Sequence, residues 1–268
     1  MNVYMVVLFA IIVPILGIQV RYQAKEDGIN QRIIGGQEAY AGQFPYMAAI
    51  YKSTSDGTFF CSGALINNQW ILTSAYCVDE AVLFSIDLGA LNLKANEPNR
   101  QRFATDIYVV HPDYNPTTLE NDIGLIQLRM PIGFTTYIRP VDLLPSTEVT
   151  PNMDGIMTMG WGQINDETAG IVDELRYVNL VPLSNEECRL SFGNQIVDSM
   201  VCVGGNYNEG FCRGDTGAPL IWYKNGRYST HVGVASFISN NGCETPEPSG
   251  YTRTFSYIDW INNVTAAV

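Results

Sequence analysis

The sequence predicts an all-β protein with a single helix at its C-terminal end. From Gly42 onward, short apolar runs alternate with turn residues, and 24 glycines and 13 prolines among 268 residues provide many turns. Regularly spaced short strands of this kind favour β-barrels or a sandwich. In the C-terminal segment 256–264, apolar residues recur every three positions, which predicts a helix with Ser256 as its candidate N-cap.

The predicted strands fall into two groups. In the first half of the chain they are Tyr46–Tyr51, Phe59–Ile66, Trp70–Thr73, Val82–Leu88 and Ile123–Leu128. In the second half they are Ile156–Met159, Tyr177–Val181, Leu220–Tyr223 and Val232–Phe237. A loop that contains Pro145 and Pro151 separates the groups, and we interpret it as a link between two halves.

Composition excludes several classes of protein. The apolar fraction of 46% is ample for a packed core and argues against a disordered chain. The net charge of −12 argues against nucleic acid or anionic lipid as the main ligand, because both require a basic face. An acidic surface also favours solubility, which is the simpler interpretation of this charge.

The first residues resemble a secretory signal peptide. Val3–Ile18 is an apolar run, shorter than the roughly 20 residues that a membrane-spanning helix needs. A membrane anchor is the alternative interpretation. We expect residues 1–18 to be a signal peptide, residues 19–32 to be a polar pro-segment, and the mature chain to be secreted, with no membrane association after signal cleavage.

The six cysteines also indicate an extracellular protein. An even number of cysteines behind a signal peptide predicts disulfides formed in an oxidising compartment. Spacing alone leaves all 15 connectivities open, and the absence of a Cys-x-x-Cys pair weakens a zinc site. Asn263 begins an Asn-Val-Thr triplet, a candidate glycosylation site.

Seven motifs follow one another in a characteristic order. They are Arg32–Gly36, Cys61–Ile66, Trp70–Cys77, Asn121–Ile126, Gly160–Gly162, Cys212–Leu220 and Tyr251–Arg253. Together they resemble the chymotrypsin/trypsin family of serine proteases, in its invertebrate form. The resemblance implies two antiparallel six-stranded β-barrels in one domain, residues 33–268, with the barrels at about 33–145 and 146–268 and the active site in the cleft between them. It also implies three disulfides: Cys61–Cys77, Cys188–Cys202 and Cys212–Cys243.

The catalytic triad of the family is altered in this chain. Asp122 matches its aspartate, but Tyr76 stands in place of the histidine base and Thr216 in place of the serine nucleophile. A threonine hydroxyl needs an adjacent base, and a phenol with a pKa near ~10 is a proton donor at neutral pH. We therefore predict no ordinary peptidase activity, because losing one triad member already costs orders of magnitude in rate.

Other residues of the cleft offer partial replacements. By resemblance Ser236 neighbours Asp122 and could satisfy its carboxylate, and the Tyr76 hydroxyl could also donate to Asp122 or simply plug the cleft. The two histidines, His111 and His231, match no catalytic position, and we interpret both as ordinary surface or packed residues.

By resemblance, this chain retains residues at the positions that the family uses for activation. Gly214 and Thr216 match the residues whose amides form the oxyanion hole. The Arg32–Ile33 bond matches the activation cleavage site, and Asp215 matches the aspartate that pairs with the new N-terminal ammonium. The alternative is that these residues are only inherited structure.

The substrate pocket of the family is also changed. Its positions are held by Gly210, Ser236, Phe237 and Ile238, which predicts a shallow, apolar pocket without a carboxylate for Lys or Arg. Ala90 follows Gly89 where calcium-binding relatives place a glutamate ligand, so we expect no metal. No cofactor is expected either.

Three functions remain open at this stage. The first is a non-catalytic protease homologue that binds extracellular proteins as a cofactor, decoy or recognition protein, among them a trypsin-like protease that cuts after Arg32. The second is a weak hydrolase that uses Thr216 and an unrecognised base. The third is a storage or structural protein. We expect the mature chain to be a monomer.

Overall fold

The computed structural model of the chain describes residues 36–143, 155–204, 210–224 and 228–266. The predicted signal peptide and pro-segment lie outside these residues, as do Arg32, Ile33, Pro145 and Pro151.

The first sheet has seven antiparallel strands in the order β6-β5-β2-β3-β4-β8-β7. They are β2 Met47–Ser53, β3 Thr58–Leu65, β4 Trp70–Thr73, β5 Leu83–Leu88, β6 Gln101–Thr105, β7 Ile107–Val110 and β8 Gly124–Gln127. The two edge strands, β6 and β7, are consecutive in the chain with only Asp106 between them. The chain itself therefore joins the two edges, and segment 101–110, counted as one bent strand, gives a sheet of six.

The second sheet closes into a six-stranded antiparallel barrel. Its strands are β10 Ile156–Gly160, β11 Arg176–Leu183, β12 Met200–Gly204, β13 Pro219–Lys224, β14 Tyr228–Phe237 and β15 Ser249–Arg253. They pair in the order β11-β10-β13-β14-β15-β12, and β12 pairs with β11 to close the ring. Two short segments from earlier in the chain extend this sheet: β1 Gln37–Glu38 pairs with β11, and β9 Asp142–Leu143 pairs in parallel with β14. The predicted fold class, two six-stranded β-barrels with a C-terminal helix, is confirmed.

Helices are few and short. α1 is Ala75–Val78, α2 is Asn185–Phe192 and α3 is Ile258–Ala266, with 3-10 turns at Gly193–Gln195 and Thr254–Tyr257. The predicted C-terminal helix is present, but Ser256 is not its N-cap. The 3-10 turn that precedes α3 contains Ser256 and has Arg253 as its N-cap, so the helical backbone starts three residues earlier than the capping pattern indicates.

One apolar cluster connects the two sheets and the C-terminal helix. Trp70, Leu72 and Leu125 from the first sheet pack with Val234 of β14 and with Ile261 of α3. Burial of such side chains stabilises the fold by roughly 1.5–3 kcal/mol each. This cluster includes Ile123 and therefore helps to fix the position of the adjacent Asp122.

The three disulfides pair as the resemblance implies: Cys61–Cys77, Cys188–Cys202 and Cys212–Cys243. Their cysteines are 16, 14 and 31 residues apart in the sequence. A disulfide that closes a loop of this length lowers the entropy of the unfolded chain, which stabilises the fold by about 3 kcal/mol. Cys61–Cys77 attaches α1 to β3, and Cys212–Cys243 joins the loop before Thr216 to the loop after Ile238.

Candidate functional site

The centre of the candidate site is the carboxylate of Asp122, which is fully buried. Its Oδ1 accepts a hydrogen bond from the Tyr76 backbone N–H at 2.9 Å, and its Oδ2 accepts one from the Ser236 Oγ at 2.5 Å. Burial raises the pKa of Asp122 to about 6, although the hydrogen bonds from Ser236, Tyr76 and Ala75 lower it. The carboxylate is thus held in place by donors from two elements.

A β-bulge explains why Ser236 reaches Asp122. The register between β14 and β15 shifts between Ala235 and Phe237, which leaves Ser236 unpaired in the ladder. Bulges bend a strand locally and re-aim the side chain of the extra residue. Here the bulge directs the Ser236 hydroxyl to the carboxylate, next to which the resemblance placed it.

Tyr76 contacts Asp122 through its backbone rather than its side chain. It is the second residue of α1, a one-turn helix capped by Ser74, whose Oγ accepts from the Cys77 N–H at 3.2 Å. The Tyr76 side chain is 52% exposed, so it does not seal the cleft. Its ring lies 5.4 Å from the Nζ of Lys52, within the range of a cation–π contact. The same Nζ donates to the Tyr76 carbonyl at 2.8 Å.

The expectation that the Tyr76 hydroxyl could donate to Asp122 is therefore wrong for this structure. Within the part of the chain that the structure describes, that hydroxyl forms no hydrogen bond with Asp122 or with Thr216. The physical reason is that the Tyr76 ring is exposed and lies against Lys52, while the buried carboxylate accepts from the Tyr76 backbone and from Ser236.

Thr216 lies on a tight turn between Cys212 and Ala218. The Asp215 N–H donates to the Cys212 carbonyl at 3.0 Å, and the Ala218 N–H donates to the Asp215 carbonyl at 2.8 Å. Gly217 has a φ of +84° and no space for a side chain, because a Cβ there would lie 2.3 Å from the Ser62 carbonyl oxygen. Among the described residues, the Thr216 hydroxyl has no hydrogen-bond partner.

The predicted oxyanion-hole residues occupy the same turn. Gly214 and Thr216 are both partly exposed, and neither backbone N–H donates to any acceptor in the described segments. Gly214 has a φ of +96°, a conformation that favours glycine. Unpaired amides carry a partial positive charge that favours an anionic group.

Asp215 is buried beneath this turn with 2% of its surface exposed. Its oxygens accept from the Gly162 N–H at 2.6 Å and from the Cys212 N–H at 3.1 Å. Burial raises the pKa of Asp215 to about 6, against these two bonds, which lower it. Gly160 and Gly162 leave the carboxylate its space, since a Cβ on either would lie within 2.3 Å of its oxygens. Its proposed partner, Ile33, lies outside the described residues.

The predicted substrate pocket is nearly filled. Gly210 and Ile238 line a cavity of about 10 Å³, which is room for about one water molecule. Phe211 also lines it and is 3% exposed, with its ring 5.0 Å from that of Tyr251. Sequence reasoning missed Phe211, although its place directly after Gly210 was the available signal.

The other two predicted pocket residues lie elsewhere. Ser236 points to Asp122, and Phe237 packs into an apolar cluster with Phe192 of α2, ring to ring at 5.2 Å. The cavity also contains a carboxylate that the sequence did not predict, that of Glu247. Ser239 and Asn241 both donate to this carboxylate, so it is already occupied by neutral donors.

Both histidines are committed to structural contacts. The Nδ1 of His111 accepts from the Asp113 N–H at 3.2 Å, and its ring packs against Tyr257 at 5.2 Å. His231 is fully buried with its Nδ1 2.8 Å from the Thr254 Oγ1, and burial lowers its pKa to about 3. Neither ring forms a hydrogen bond with Thr216 in the described segments.

The loop that matches the calcium loop of calcium-binding relatives holds the side chain of Arg100. The Arg100 guanidinium donates to the carbonyls of Leu93 at 2.9 Å and Ala95 at 2.8 Å, and to the Glu97 carboxylate at 2.9 Å. Its side chain is 13% exposed and also lies 3.7 Å from buried Asp87. A fixed positive charge therefore occupies the centre of this loop.

One acidic and sulfur-containing group in the described ranges has the spacing of a metal site. It consists of Asp166, Cys212 and Cys243, but the two sulfur atoms are bonded to each other, so they are not free ligands. Asn263, the candidate glycosylation residue, is exposed on α3. A search of the described segments finds no helix with the length and apolar character required to cross a bilayer.

Comparison with known proteins identifies the family. A family model described as trypsin matches residues 33–261. This chain belongs to the trypsin family. It is 36% identical to brachyurin from Leptuca pugilator over 237 residues, covering 87% of this chain and 98% of that protein. It is 33% identical to chymotrypsin-like elastase family member 1 from Homo sapiens over 245 residues, covering 89% and 94% of the two. The solved structure of HL collagenase has a TM-score of 0.77 and 31% identity, covering 87% of this chain and 99% of that chain.

The site of this trypsin-family chain thus consists of two separate parts. Asp122, Ser236 and the Tyr76 backbone form one hydrogen-bonded unit, while the Thr216 turn offers two free amides. Among the described residues, the Thr216 hydroxyl forms no hydrogen bond with a member of the Asp122 unit.

Proposed function

We propose that this trypsin-family chain is a secreted protein without peptidase activity that acts by binding other extracellular proteins. It would serve as a cofactor or decoy for an active protease, or as a recognition protein in an extracellular cascade. Its similarity to brachyurin from Leptuca pugilator supports an invertebrate type of the family.

One observation carries the proposal: the Thr216 hydroxyl has no hydrogen-bond partner in the described structure. A hydroxyl nucleophile is weak unless a base within about 3 Å removes its proton. The residue in the position of that base, Tyr76, turns its ring to Lys52, and both histidines are engaged elsewhere.

Activation by cleavage is a second part of the proposal. Buried Asp215 accepts two backbone hydrogen bonds and still has a pKa raised to about 6, so its charge is incompletely compensated. A new ammonium at Ile33, released by a trypsin-like protease that cuts after Arg32, would supply the missing positive charge. The cut would then order the cleft for binding rather than for catalysis.

The alternative, a weak hydrolase through Thr216, requires a base. Burial lowers the pKa of Lys52, against the raising effects of Asp79 and Glu80, and Lys52 lies beside Tyr76. However, the Lys52 Nζ already donates a hydrogen bond to the Tyr76 carbonyl at 2.8 Å, which holds it at α1. A specific observation in favour of hydrolysis is therefore lacking within the described residues.

An active-site probe separates these functions. The chain is cut after Arg32 and treated with a small fluorophosphonate, with an active trypsin-family enzyme as the positive control. We expect no labelling of Thr216. Stoichiometric labelling at that residue would establish the hydrolase. If binding to secreted proteases from the same tissue is also absent, a storage or structural role replaces both proposals.

A further inference from the structure

A cavity of about 180 Å³ shares no lining residue with the cleft of Asp122 and Thr216. Three aromatic residues line it: Tyr40, Phe44 and Tyr137. Aliphatic residues, among them two leucines, line the rest of its surface together with Glu97 and Asn99. A concave, mainly apolar space with a few polar groups is the usual form of a ligand site.

The aromatic walls of this cavity are formed before any ligand enters. Phe44 is 5% exposed and therefore fixed by packing. Gly42 has a φ of +80°, and a Cβ there would lie 3.3 Å from the Tyr137 ring, so glycine lets this ring lie close to the turn. Tyr40 is 70% exposed, but its N–H donates to the Gln43 side chain at 3.0 Å and its carbonyl accepts from the Gln43 N–H at 3.0 Å. An exposed ring thus stands on a fixed backbone.

Glu97 gives the cavity one free acceptor position without a free charge. Its Oε2 accepts from the Leu91 N–H at 3.0 Å and from the Arg100 guanidinium at 2.9 Å. Its Oε1 accepts only from the Asn92 N–H at 3.0 Å among the described residues. A carboxylate oxygen can accept two hydrogen bonds, so Oε1 has room for one more donor. A cationic ligand would meet Arg100 and an anionic ligand would meet Glu97, which favours a neutral ligand with one N–H or O–H donor.

The volume of the cavity matches one side chain rather than a whole small molecule. At about 180 Å³ it exceeds the roughly 150 Å³ that accommodates benzene, but stays below the roughly 300 Å³ at which sites for drug-sized ligands begin. Aromatic pairs gain stability beyond their buried area, so three aromatic walls favour a ring over an aliphatic group of equal size. Tryptophan is the bicyclic natural side chain, and its indole N–H is a donor only. It is also frequent among the residues that anchor protein interfaces in pockets.

The charge near the cavity indicates the surface that would carry such a tryptophan. Glu174 directly precedes the lining residue Leu175, is exposed, and has no ion pair within the described residues. The whole chain has a net charge of −12. A partner with basic residues beside its tryptophan is complementary to this surface.

We propose that the cavity between Tyr40, Phe44 and Tyr137 binds a tryptophan side chain of an extracellular partner protein, with the indole N–H donating to the Oε1 of Glu97. The proposal goes beyond the proposed function, because this site is separate from the cleft and does not depend on whether Thr216 reacts. It gives the chain a second surface for protein binding.

The test measures binding of acetyl-Lys-Ser-Trp-Ser-Lys-amide to the secreted chain by isothermal titration calorimetry. Two comparison peptides replace the tryptophan by leucine or by 3-benzothienylalanine, whose ring has the shape of indole but no N–H. We expect a dissociation constant of roughly 1 mM or below for the tryptophan peptide. Both comparison peptides should bind at least about fivefold more weakly.

Two variants locate the binding in this cavity. Tyr40→Ala removes the exposed ring, and Ala41→Phe adds a ring at an exposed lining residue; each should weaken binding of the tryptophan peptide at least about fivefold. The matched controls Phe134→Ala and Ala104→Phe change exposed residues that do not line the cavity, and should leave the affinity unchanged.

Three results would overturn the site: a dissociation constant above about 10 mM, equal affinity for the tryptophan and leucine peptides, or unchanged binding in Tyr40→Ala. Undiminished binding of the benzothienylalanine peptide would overturn the hydrogen bond to Glu97 and with it the choice of tryptophan. The labelling of Thr216 by a fluorophosphonate is measured independently, so the tryptophan site and the non-catalytic function fail separately.

Discussion

The Oγ of Ser236 donates to the Oδ2 of Asp122 at 2.5 Å, at a carboxylate that solvent does not reach. A serine on a bulge thus provides one of the interactions that keep this carboxylate in place, and backbone N–H groups of α1 provide the others. When it is ionised, Asp122 is a buried anion that these donors hold.

Ser236→Ala should therefore destabilise the fold in a pH-dependent way. The pKa of Asp122 is raised from 3.8 to about 6 by burial, so above that value the fold carries a buried charge that needs its donors. The loss of this donor raises the pKa further and lowers the free energy of unfolding by about 1.5–3 kcal/mol at about pH 8. At about pH 5 the carboxyl is protonated in both proteins, so the difference shrinks.

Urea unfolding at the two pH values measures this effect. The control is Ser62→Ala, since the buried Oγ of Ser62 has no hydrogen-bond partner in the described structure. Its effect should be small and independent of pH. A pH-independent loss in Ser236→Ala would show that the hydroxyl does not support the ionised form.

Restoring the triad types should restore nucleophilicity but not peptide cleavage. In Tyr76→His with Thr216→Ser, the hydroxyl regains a base next to Asp122, and labelling by a small fluorophosphonate should rise at least about 10³-fold. Cleavage of a peptide after phenylalanine should stay undetectable because the cavity has about 10 Å³. Thr216→Ser alone is the control. An unlabelled double variant would mean that the cleft differs beyond these two residues.

Phe211→Ala should open the pocket at a large cost in stability. Truncation of a buried phenylalanine lowers the free energy of unfolding by about 3–5 kcal/mol and leaves a cavity. A small apolar ligand such as benzene should then raise the melting temperature of the variant but not that of the wild type. Phe134→Ala, at a residue that is 51% exposed, should change stability by less than about 0.5 kcal/mol.

The loop around Arg100 should be independent of divalent cations. A chelator should leave the melting temperature of the wild type unchanged, because the guanidinium already supplies the positive charge to the Leu93 and Ala95 carbonyls and to Glu97. Arg100→Met should lower the free energy of unfolding by about 3 kcal/mol, since it leaves Asp87 and Glu97 without this partner. Arg129→Met, which breaks an exposed pair with Asp106, should cost less than about 1 kcal/mol.

His231 should make the fold sensitive to acid. Burial lowers its pKa from 6.5 to about 3, so the unfolded chain binds a proton that the fold excludes. The contribution of His231 to the free energy of unfolding should fall by about 1.4 kcal/mol per pH unit as the pH decreases from 6.5 towards 3. The stability difference between wild type and His231→Gln, measured across this range, isolates the effect. A difference that does not vary with pH would contradict it.

The sequence predicted the fold class well because its signals are strong and local. The strand Trp70–Thr73 agrees to the residue, and the ordered motifs identified the family before any contact was known. Weakly patterned elements were missed: β6 and β7 are half-exposed and carry no clean alternation, and α1 is a single turn with little helical period.

The site was predictable in its residue types but not in its contacts. The sequence could show that Tyr76 replaces a histidine, but the direction of its ring depends on Lys52, which comes from a strand 24 residues earlier. The hydrogen bonds that the Glu247 carboxylate accepts depend on the path of a loop, and residue identity does not determine that path. Phe211 was readable in principle, because it directly follows a predicted pocket residue.

The filling of the pocket by Phe211 has a consequence outside the molecule. Protein inhibitors that block trypsin-family enzymes by inserting a side chain beside the nucleophile would find no opening here. In a fluid where such inhibitors remove active enzymes from circulation, this chain would stay free. Its lifetime there would be set by its own unfolding and by proteolysis rather than by such inhibitors.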